Sequence, residues 1–115
     1  MTDLHGILKR IKKFRDQRNW MQFHSPKNLA CSIAIEAAEL LQYFQWKNAE
    51  ESERVGTDQR DRIAEEIADV AIYLLELADT LNVDVIKAIE DKLRVNSKRY
   101  PIAKAKGKAT KYTQL

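Results

Sequence analysis

The chain has 115 residues, of which 44% are hydrophobic and 32% charged, a composition typical of a folded globular domain rather than a disordered chain. Three glycines and two prolines argue against a loop-rich sandwich or barrel, and the single cysteine excludes an internal disulfide framework. The net charge of +3 arises in residues 102–115, which hold four lysines and no acid, whereas residues 1–101 carry a charge of −1.

This composition predicts a soluble cytoplasmic protein without a signal peptide or a membrane-spanning segment. We expect one all-α domain over residues 1–101, followed by a basic tail over residues 102–115. The tail is either solvated, or it covers an anionic ligand or a neighbouring subunit. Cys31 is expected to pack in the core, since a lone cysteine commonly behaves as a small apolar side chain.

An amphipathic helix is predicted over residues 3–18. Apolar side chains recur there at intervals of three and four residues, opposite a basic face: Leu4, Ile7, Leu8, Ile11 and Phe14. Residues 19–25 form a connection rich in aromatic side chains. Ser25 as the N-cap and Pro26 as the first helical residue then start a second helix. The run from Leu29 to Trp46 is apolar nearly all round, which predicts a buried, central position for this helix.

The second half of the chain is predicted to hold two more helices. Residues 47–57 are polar, include a glycine, and are predicted to form a loop. Thr57 or Asp58 is expected to cap a third helix over roughly residues 58–81, which Asn82 ends.

The fourth helix is predicted to begin at Asp84 and to run to about Arg99, where the Tyr100-Pro101 pair stops it. The predicted fold is therefore an all-α arrangement like a four-helix bundle, with two helices mostly buried.

Four carboxylates lie in helices that are otherwise apolar. Glu36 and Glu39 are three residues apart in the second helix, and Glu66 and Asp69 have the same spacing in the third. An ionised carboxylate in an apolar surface is costly unless it is paired or ligates a metal. If the two pairs face each other, they form an oxygen-only cluster that favours Mg²⁺ or Mn²⁺. The alternative is that these side chains form ion pairs between helices or lie at the surface.

Several other kinds of site lack the residues they need. A ferritin-like di-iron site requires a histidine three residues after a glutamate, and neither His5 nor His24 has that position. One cysteine and two distant histidines serve zinc poorly, and the chain has no glycine-rich phosphate loop. If phosphates bind here, metal ions and side chains must hold them.

Aromatic and basic residues near the carboxylates favour a nucleotide ligand, because aromatic rings stack on bases. Trp20 and Phe23 precede the second helix, Trp46 lies at its end, and Tyr73 lies one turn after Asp69. The last helix carries a polar stripe, which consists of Lys92, Asn96 and Arg99. Ordinary core packing of the tryptophans and a solvated face on the last helix are the alternatives.

Three stretches of the chain also carry a resemblance to a known family: FRDQRNWMQFHSPKNLACSIAIEAAELLQYFQWK, EEIADVAIYLLELA and KLRVNSKRYPIAKAKGKATKYTQL. They resemble the MazG-like all-α nucleoside triphosphate pyrophosphohydrolases, most closely the small dCTP pyrophosphatases among them. The resemblance covers nearly all of the chain except the first ten residues and the segment 47–57. The combination of W-x-Q-F-H, F-Q-W and N-S-K-R-Y with the two acidic motifs makes it specific.

The resemblance implies a role for each of these residues. It implies Mg²⁺ ligands at Glu36, Glu39, Glu66 and Asp69. It implies a base and sugar pocket lined by Trp20, Phe23, His24 and Trp46, with Tyr73 contacting substrate beside the metal. It assigns the phosphates or the pocket wall to Lys92, Asn96, Lys27, Asn28, Arg99 and Tyr100. It further implies a dimer or tetramer in which two subunits can share one site. Ile11 stands where some relatives place a pocket histidine, so a strict preference for cytosine does not follow.

Together these features predict a Mg²⁺-dependent enzyme that cleaves nucleoside triphosphates between the α- and β-phosphates and serves nucleotide-pool sanitation. The expected substrate is dCTP or a modified deoxycytidine triphosphate, and the general base is Glu36 or Glu39. The alternatives are a dUTP or broad-specificity pyrophosphatase and a non-enzymatic helical scaffold. A nucleic-acid binder is disfavoured, because the chain outside the tail is nearly neutral.

Overall fold

The computed structural model describes residues 2–115, and every regular element in that range is helical. The six helices are α1 (Leu4–Gln17), α2 (Pro26–Gln42), α3 (Ala49–Asp58), α4 (Arg60–Thr80), α5 (Val85–Arg99) and α6 (Ile102–Ala105). Short 3-10 turns span Met21–Phe23 and Tyr112–Gln114. The all-α prediction is confirmed, and the predicted number of four helices is wrong. Within residues 2–115, no helix is both long and apolar enough to cross a membrane.

Side-chain caps fix three of the helix starts as local chemistry predicts. The Ser25 hydroxyl accepts a hydrogen bond from the Asn28 backbone N–H at 3.2 Å, and Pro26 is the first residue of α2. The Asp84 carboxylate accepts one from the Lys87 N–H at 3.0 Å, at the start of α5. Asp3 does the same for α1. The predicted starts at Ser25 and Asp84 are confirmed.

The end of α2 differs from the prediction, which extended this helix to Trp46. The helix ends at Gln42. The next residues form tighter bonds of the 3-10 type, in which the N–H of Tyr43 donates to Leu40 and that of Phe44 to Leu41. Trp46 then adopts the left-handed region, with φ of +66°, which no residue inside a right-handed helix can do. The chain thereby turns toward the start of α3.

The segment predicted as a loop over residues 47–57 is instead α3. A reciprocal capping box starts it: the Glu51 N–H donates to the Asn48 side chain at 2.8 Å, and the Asn48 N–H donates to the Glu51 carboxylate at 3.2 Å. These bonds outweigh the low helix propensity of Gly56, which lies inside the helix.

The predicted cap of α4 at Thr57 or Asp58 is also wrong. Gln59 occupies the cap position without a side-chain bond. Its N–H donates to the carbonyl of Val55 at the end of α3, and its own carbonyl accepts from the N–H of Ile63 at the start of α4. One residue therefore serves as the junction of both helices. Asn82, with φ of +55°, follows the end of α4 at Thr80.

The chain divides into two compact units, of which the first ends at Asn82 and the second spans Val83–Leu115. In the first unit, α2 packs along α4 over most of its length, and α1 and α3 also pack against α4. Only Leu29 of α2 is buried, so the prediction of a helix buried all round does not hold for a single chain. Cys31 is exposed rather than packed in the core, because it lies on the side of α2 that faces solvent.

The second unit consists of α5, α6 and the C-terminal segment. The ring of Tyr112 packs edge-to-face on Tyr100, with 5.8 Å between ring centroids. The Arg99 guanidinium carbon lies 4.6 Å from the centroid of the Tyr112 ring. Through these contacts, the C-terminal part of the lysine-rich segment packs against the end of α5.

Candidate active site

The carboxylates of α2 and α4 lie close together where these two helices pack. One ligand oxygen from each of Glu36, Glu39 and Glu66 can be chosen so that all three lie within 4.8 Å of one another. The three-residue spacing of Glu36 and Glu39 puts both on the side of α2 that faces α4. Asp69, the fourth predicted ligand, lies outside this close set of oxygens.

Negative charge concentrated in this cluster shifts the titration of its members. The close approach of Glu39 and the burial of the carboxyl raise the pKa of Glu36 to about 7, and the charge of Asp69 adds to the shift. Burial raises the pKa of Glu66 above its ordinary value, and Glu39 and Asp69 act in the same direction. Asp69 thus acts on the cluster electrostatically without joining its three closest oxygens.

Two oxygens of the cluster are buried without any hydrogen-bond partner among the described residues: Oε2 of Glu36 and Oε2 of Glu66. Buried polar atoms are normally satisfied, so such orphans call for an additional ligand. Carboxylate oxygens from two facing helices are the donor set that hard divalent cations prefer. The residues present therefore fit a Mg²⁺ or Mn²⁺ ion.

A cavity of about 370 Å³ adjoins Asp69. Its apolar wall comes from α1 and α4, and several aromatic and polar side chains also line it. The lining residues are Ile7, Arg10, Ile11, Phe14, Trp20, His24, Asp69, Ile72, Tyr73 and Glu76. Because Asp69 belongs to the cavity and acts on the carboxylate cluster, the two sites are contiguous.

Aromatic rings continue in a chain through this cavity. Phe14 and Trp20 meet edge-to-face with centroids 5.7 Å apart, and Trp20 and His24 lie 6.2 Å apart. His24 and Tyr73 meet edge-to-face at 6.3 Å. Burial raises the pKa of Tyr73, and the charges of nearby carboxylates add to this effect. The Tyr73 hydroxyl therefore keeps its proton and remains a hydrogen-bond donor at neutral pH.

Beyond the cavity wall, a charged network lies between α1 and α4, and the sequence reasoning missed it. Arg15 and Glu76 are 5% and 3% exposed, respectively. Arg15 lies 3.9 Å from Asp79 and 2.9 Å from Asp16, and Lys12 lies 3.4 Å from Asp79. Burial raises the pKa of Glu76, while the positive charges of His24 and Arg15 oppose that shift.

A signal for Glu76 was present in the spacing along α4. Glu66, Asp69, Tyr73 and Glu76 follow one another at intervals of three, four and three residues, so they share one stripe of the helix. The acidic residue at the end of that stripe is as conspicuous in an apolar helix as the two predicted ligands.

A second cavity, also of about 370 Å³, adjoins the cluster. Glu39, Gln42, Tyr43 and Glu66 line it. The two cavities share no lining residue, and Glu39 and Glu66 of the cluster belong to the lining of the second one. Gln42 and Tyr43 are additional polar groups near the predicted metal ligands.

Not all predicted site residues line these cavities. Trp46 is 89% exposed and Phe23 is 58% exposed, and neither contributes to a cavity wall. Lys27 is exposed in the first turn of α2. Asn28 has a local role, because its side-chain amide donates to the Phe23 carbonyl at 2.9 Å and so holds the aromatic connection against α2.

The remaining predicted residues belong to the second unit. Lys92 is exposed and Asn96 is partly buried on α5. Arg99 and Tyr100 contact Tyr112, as described above.

Comparison with known proteins decides the family. A family model described as the MazG-like family matches residues 31–115. The chain belongs to the MazG-like family. This confirms the resemblance drawn from its motifs. The MazG-like match includes α4 and the part of α2 from Cys31 onward, and so all of the carboxylate cluster.

Curated relatives of this MazG-like chain share one name. The dCTP pyrophosphatase 1 of Bos taurus is 40% identical over 114 residues, which cover 97% of this chain and 68% of that protein. The protein of the same name from Homo sapiens is also 40% identical, over 97% of this chain and 67% of its own length. A pyrophosphatase from Archaeoglobus fulgidus is similar in structure, with a TM-score of 0.84 and 42% identity over 88% of this chain and 94% of that one.

Proposed function

We propose that this protein hydrolyses deoxynucleoside triphosphates between the α- and β-phosphates and releases a nucleoside monophosphate and pyrophosphate. It is an enzyme of the nucleoside triphosphate diphosphatase class, like the relatives with which it shares about 40% of its residues. The proposed substrate is dCTP or a related deoxynucleotide. The observation that carries the proposal is the carboxylate cluster with two orphaned oxygens beside a cavity lined by aromatic rings.

The metal site of the proposal consists of Glu36, Glu39 and Glu66, with Asp69 at its edge. Mg²⁺ is the proposed ion and Mn²⁺ the alternative, since both prefer oxygen ligands. A divalent ion bound there supplies positive charge that offsets the repulsion between the triphosphate and the carboxylates and stabilises the charge that develops on the leaving group.

The aromatic cavity is the proposed site of the base. Its lining includes the rings of Trp20, His24 and Tyr73. Stacking of a base on an aromatic ring contributes roughly 1–3 kcal/mol. Ile7 and Ile11 belong to its apolar wall, which excludes water from the bound base. Fixing the base in this cavity places the α-phosphate next to Asp69, and thus close to the carboxylate cluster.

Glu36 or Glu39 is the proposed general base. Each lies in the cluster, and a carboxylate that is not fully used as a ligand can accept the proton of the attacking water. The second cavity, which Gln42 and Tyr43 line next to Glu39 and Glu66, shares no lining residue with the base cavity. It is the proposed exit side for pyrophosphate.

We also propose a homodimer or homotetramer located in the cytoplasm. Large apolar side chains on α2 and α4 support an assembly, because they remain about half exposed or more in the single chain: Ile35, Leu41, Ile67 and Leu74. Burial of such a surface between copies would compensate for the small core of the first unit.

Pyrophosphate release tests the proposed activity. Purified protein with Mg²⁺ is given dCTP, dUTP, dATP, dGTP or dTTP in turn, and pyrophosphate and orthophosphate are measured separately. We expect pyrophosphate, most rapidly from dCTP, and its loss in Glu66→Gln. The matched control is Glu65→Gln, an exposed neighbour outside the cluster, which should keep full activity. Release of orthophosphate alone, or full activity in Glu66→Gln, contradicts the proposal.

A further inference from the structure

Glu76 lines the base cavity and has no part in the proposed chemistry. Its side chain is almost fully buried, with the residue 3% exposed, and it nevertheless lines the cavity together with His24 and Tyr73. An ionised carboxylate accepts hydrogen bonds but donates none. Any base that fills the cavity removes the remaining water from this group and must replace it with an N–H donor.

The neighbours of Glu76 leave that requirement open. The nearest side chain that faces it is the imidazole of His24, with Nδ1 at 3.5 Å from Oε1, longer than a normal hydrogen bond. Nδ1 of His24 is itself buried without a hydrogen-bond partner among residues 2–115. Arg15 also acts on Glu76 through its charge, but its ion pairs among the described residues are with Asp16 and Asp79, and its buried Nη1 forms no hydrogen bond there. The cavity therefore contains an acceptor and an adjacent imidazole nitrogen that lack well-formed partners.

We infer that Glu76 is a specificity-determining residue that accepts a hydrogen bond from the exocyclic amino group of the bound base. This inference rests on the proposed function, since it takes the cavity as the base site. A base with an amino group at that edge satisfies the carboxylate. A base with a carbonyl oxygen there brings two acceptors together and leaves the carboxylate buried without a hydrogen bond. A site built to accept a hydrogen bond from its ligand strongly rejects a ligand that lacks the donor. Carboxylate side chains read the amino group of cytosine in nucleic acids in the same way.

The first test uses the unmodified protein and product nucleotides, so it needs neither metal nor turnover. Binding of dCMP, of dUMP and of the deoxynucleotide whose base is 2-pyrimidinone, which has hydrogen in place of the amino group, is measured by calorimetry. We expect dCMP to bind roughly tenfold more tightly than either of the others. Equal affinities for the three nucleotides overturn the inference.

The second test changes the residue. Glu76→Gln keeps the shape of the side chain but adds an N–H donor, so we expect the preference for dCMP over dUMP to fall to within about twofold. The control is Asp79→Asn, which removes a carboxylate from the same charged network one turn along α4 without changing the cavity lining. It should keep the preference of the unmodified protein. A preserved preference in Glu76→Gln, in a protein with unchanged helical circular dichroism, overturns the inference.

These tests separate the inference from the proposed function. If the protein releases pyrophosphate from triphosphates but shows no dependence on the amino group, the inference fails and the proposed activity stands. If dCMP is selected through Glu76 and no triphosphate is hydrolysed, the proposed activity fails and the assignment of Glu76 stands.

Discussion

Glu36 of α2 and Glu66 of α4 face each other, and each buries one carboxylate oxygen that receives no hydrogen bond from the described residues. Two acids in this arrangement repel each other, and no ion pair within residues 2–115 compensates them. The arrangement makes the cluster a source of instability that a cation removes, and this has measurable consequences for stability and for protonation.

Magnesium should stabilise the folded protein through this cluster. A ligand that binds only the folded state contributes about 2.7 kcal/mol when its concentration is one hundred times its dissociation constant. We expect the thermal midpoint to rise with Mg²⁺ concentration, and the rise to disappear in Glu66→Gln. Glu65→Gln should keep the rise. A midpoint that does not respond to Mg²⁺ in the unmodified protein would favour the helical scaffold instead of the enzyme.

Metal binding should be coupled to proton release at Glu36. Because its pKa is about 7 in the metal-free protein, the carboxyl is largely protonated below that pH, and a cation must displace the proton. Mg²⁺ affinity is therefore expected to increase as the pH rises from about 5.5 to about 7.5. Calorimetry in two buffers of different ionisation enthalpy measures the protons released. Glu36→Gln should reduce this release, and an unchanged release in that variant would show that another group is responsible.

The same raised pKa predicts how the stability of the metal-free protein depends on pH. The folded state holds the Glu36 proton up to about pH 7, whereas an unfolded glutamate loses it near 4.5. The folded state thus binds more protons over this interval, so the contribution of Glu36 to stability falls as the pH rises from 4.5 to 7. Urea unfolding at pH 5 and pH 7.5 should show a smaller loss of stability in Glu36→Gln than in the unmodified protein.

Removing the buried guanidinium of Arg15 should destabilise the first unit. The side chain is 5% exposed and compensates the acidic groups of α4 that face it, Glu76 and Asp79. Arg15→Met fills similar space without the charge, and leaving those carboxylates with less compensation should cost about 3 kcal/mol in urea unfolding. Lys13→Met, at an exposed position on the same helix, should change stability by less than about 0.5 kcal/mol. Equal effects of the two variants would contradict a role for the network.

The capping box of α3 should contribute measurably to stability. Asn48→Ala removes the side chain that accepts from the Glu51 N–H, and loss of such a cap costs about 1 kcal/mol. Glu53→Ala, at an exposed position within α3, serves as the control and should have little effect. Chemical denaturation of both variants provides the comparison. If Asn48→Ala is as stable as the control, the start of α3 does not depend on the box.

Helix starts were predictable here because caps are local. Ser25 and Asp84 each bond to a backbone N–H three residues ahead, so a short stretch of sequence holds the whole interaction. The start of α3 uses an equally local pair, Asn48 and Glu51, but the polar composition of the segment and its glycine favoured a loop. The left-handed backbone of Trp46, by contrast, could not be predicted from its residue type. That conformation is expected at glycine or asparagine, and it is uncommon at an aromatic residue.

The candidate site was predictable to the extent that helical spacing determines it. A separation of three residues places Glu36 and Glu39 on one side of α2, and three of the four predicted ligands do come together. The spacing does not reveal how α2 and α4 are displaced along each other, which is why the position of Asp69 outside the closest set was not foreseen. The same limit applies to Arg15, whose burial depends on how α1 packs against α4.

The stripe on α4 has a consequence for how this protein can change. Glu66 and Glu76 are ten residues apart on one continuous helix, roughly 15 Å along its axis. The proposed metal ligand and the residue proposed to read the base are therefore parts of a single stiff helix. A substitution that tilts or rotates α4 moves Glu66 and Glu76 together. A change in base preference achieved by repacking this helix would therefore also lower metal affinity. New base preferences are expected to arise instead from substitutions on α1 and at position 76, which do not change the position of α4.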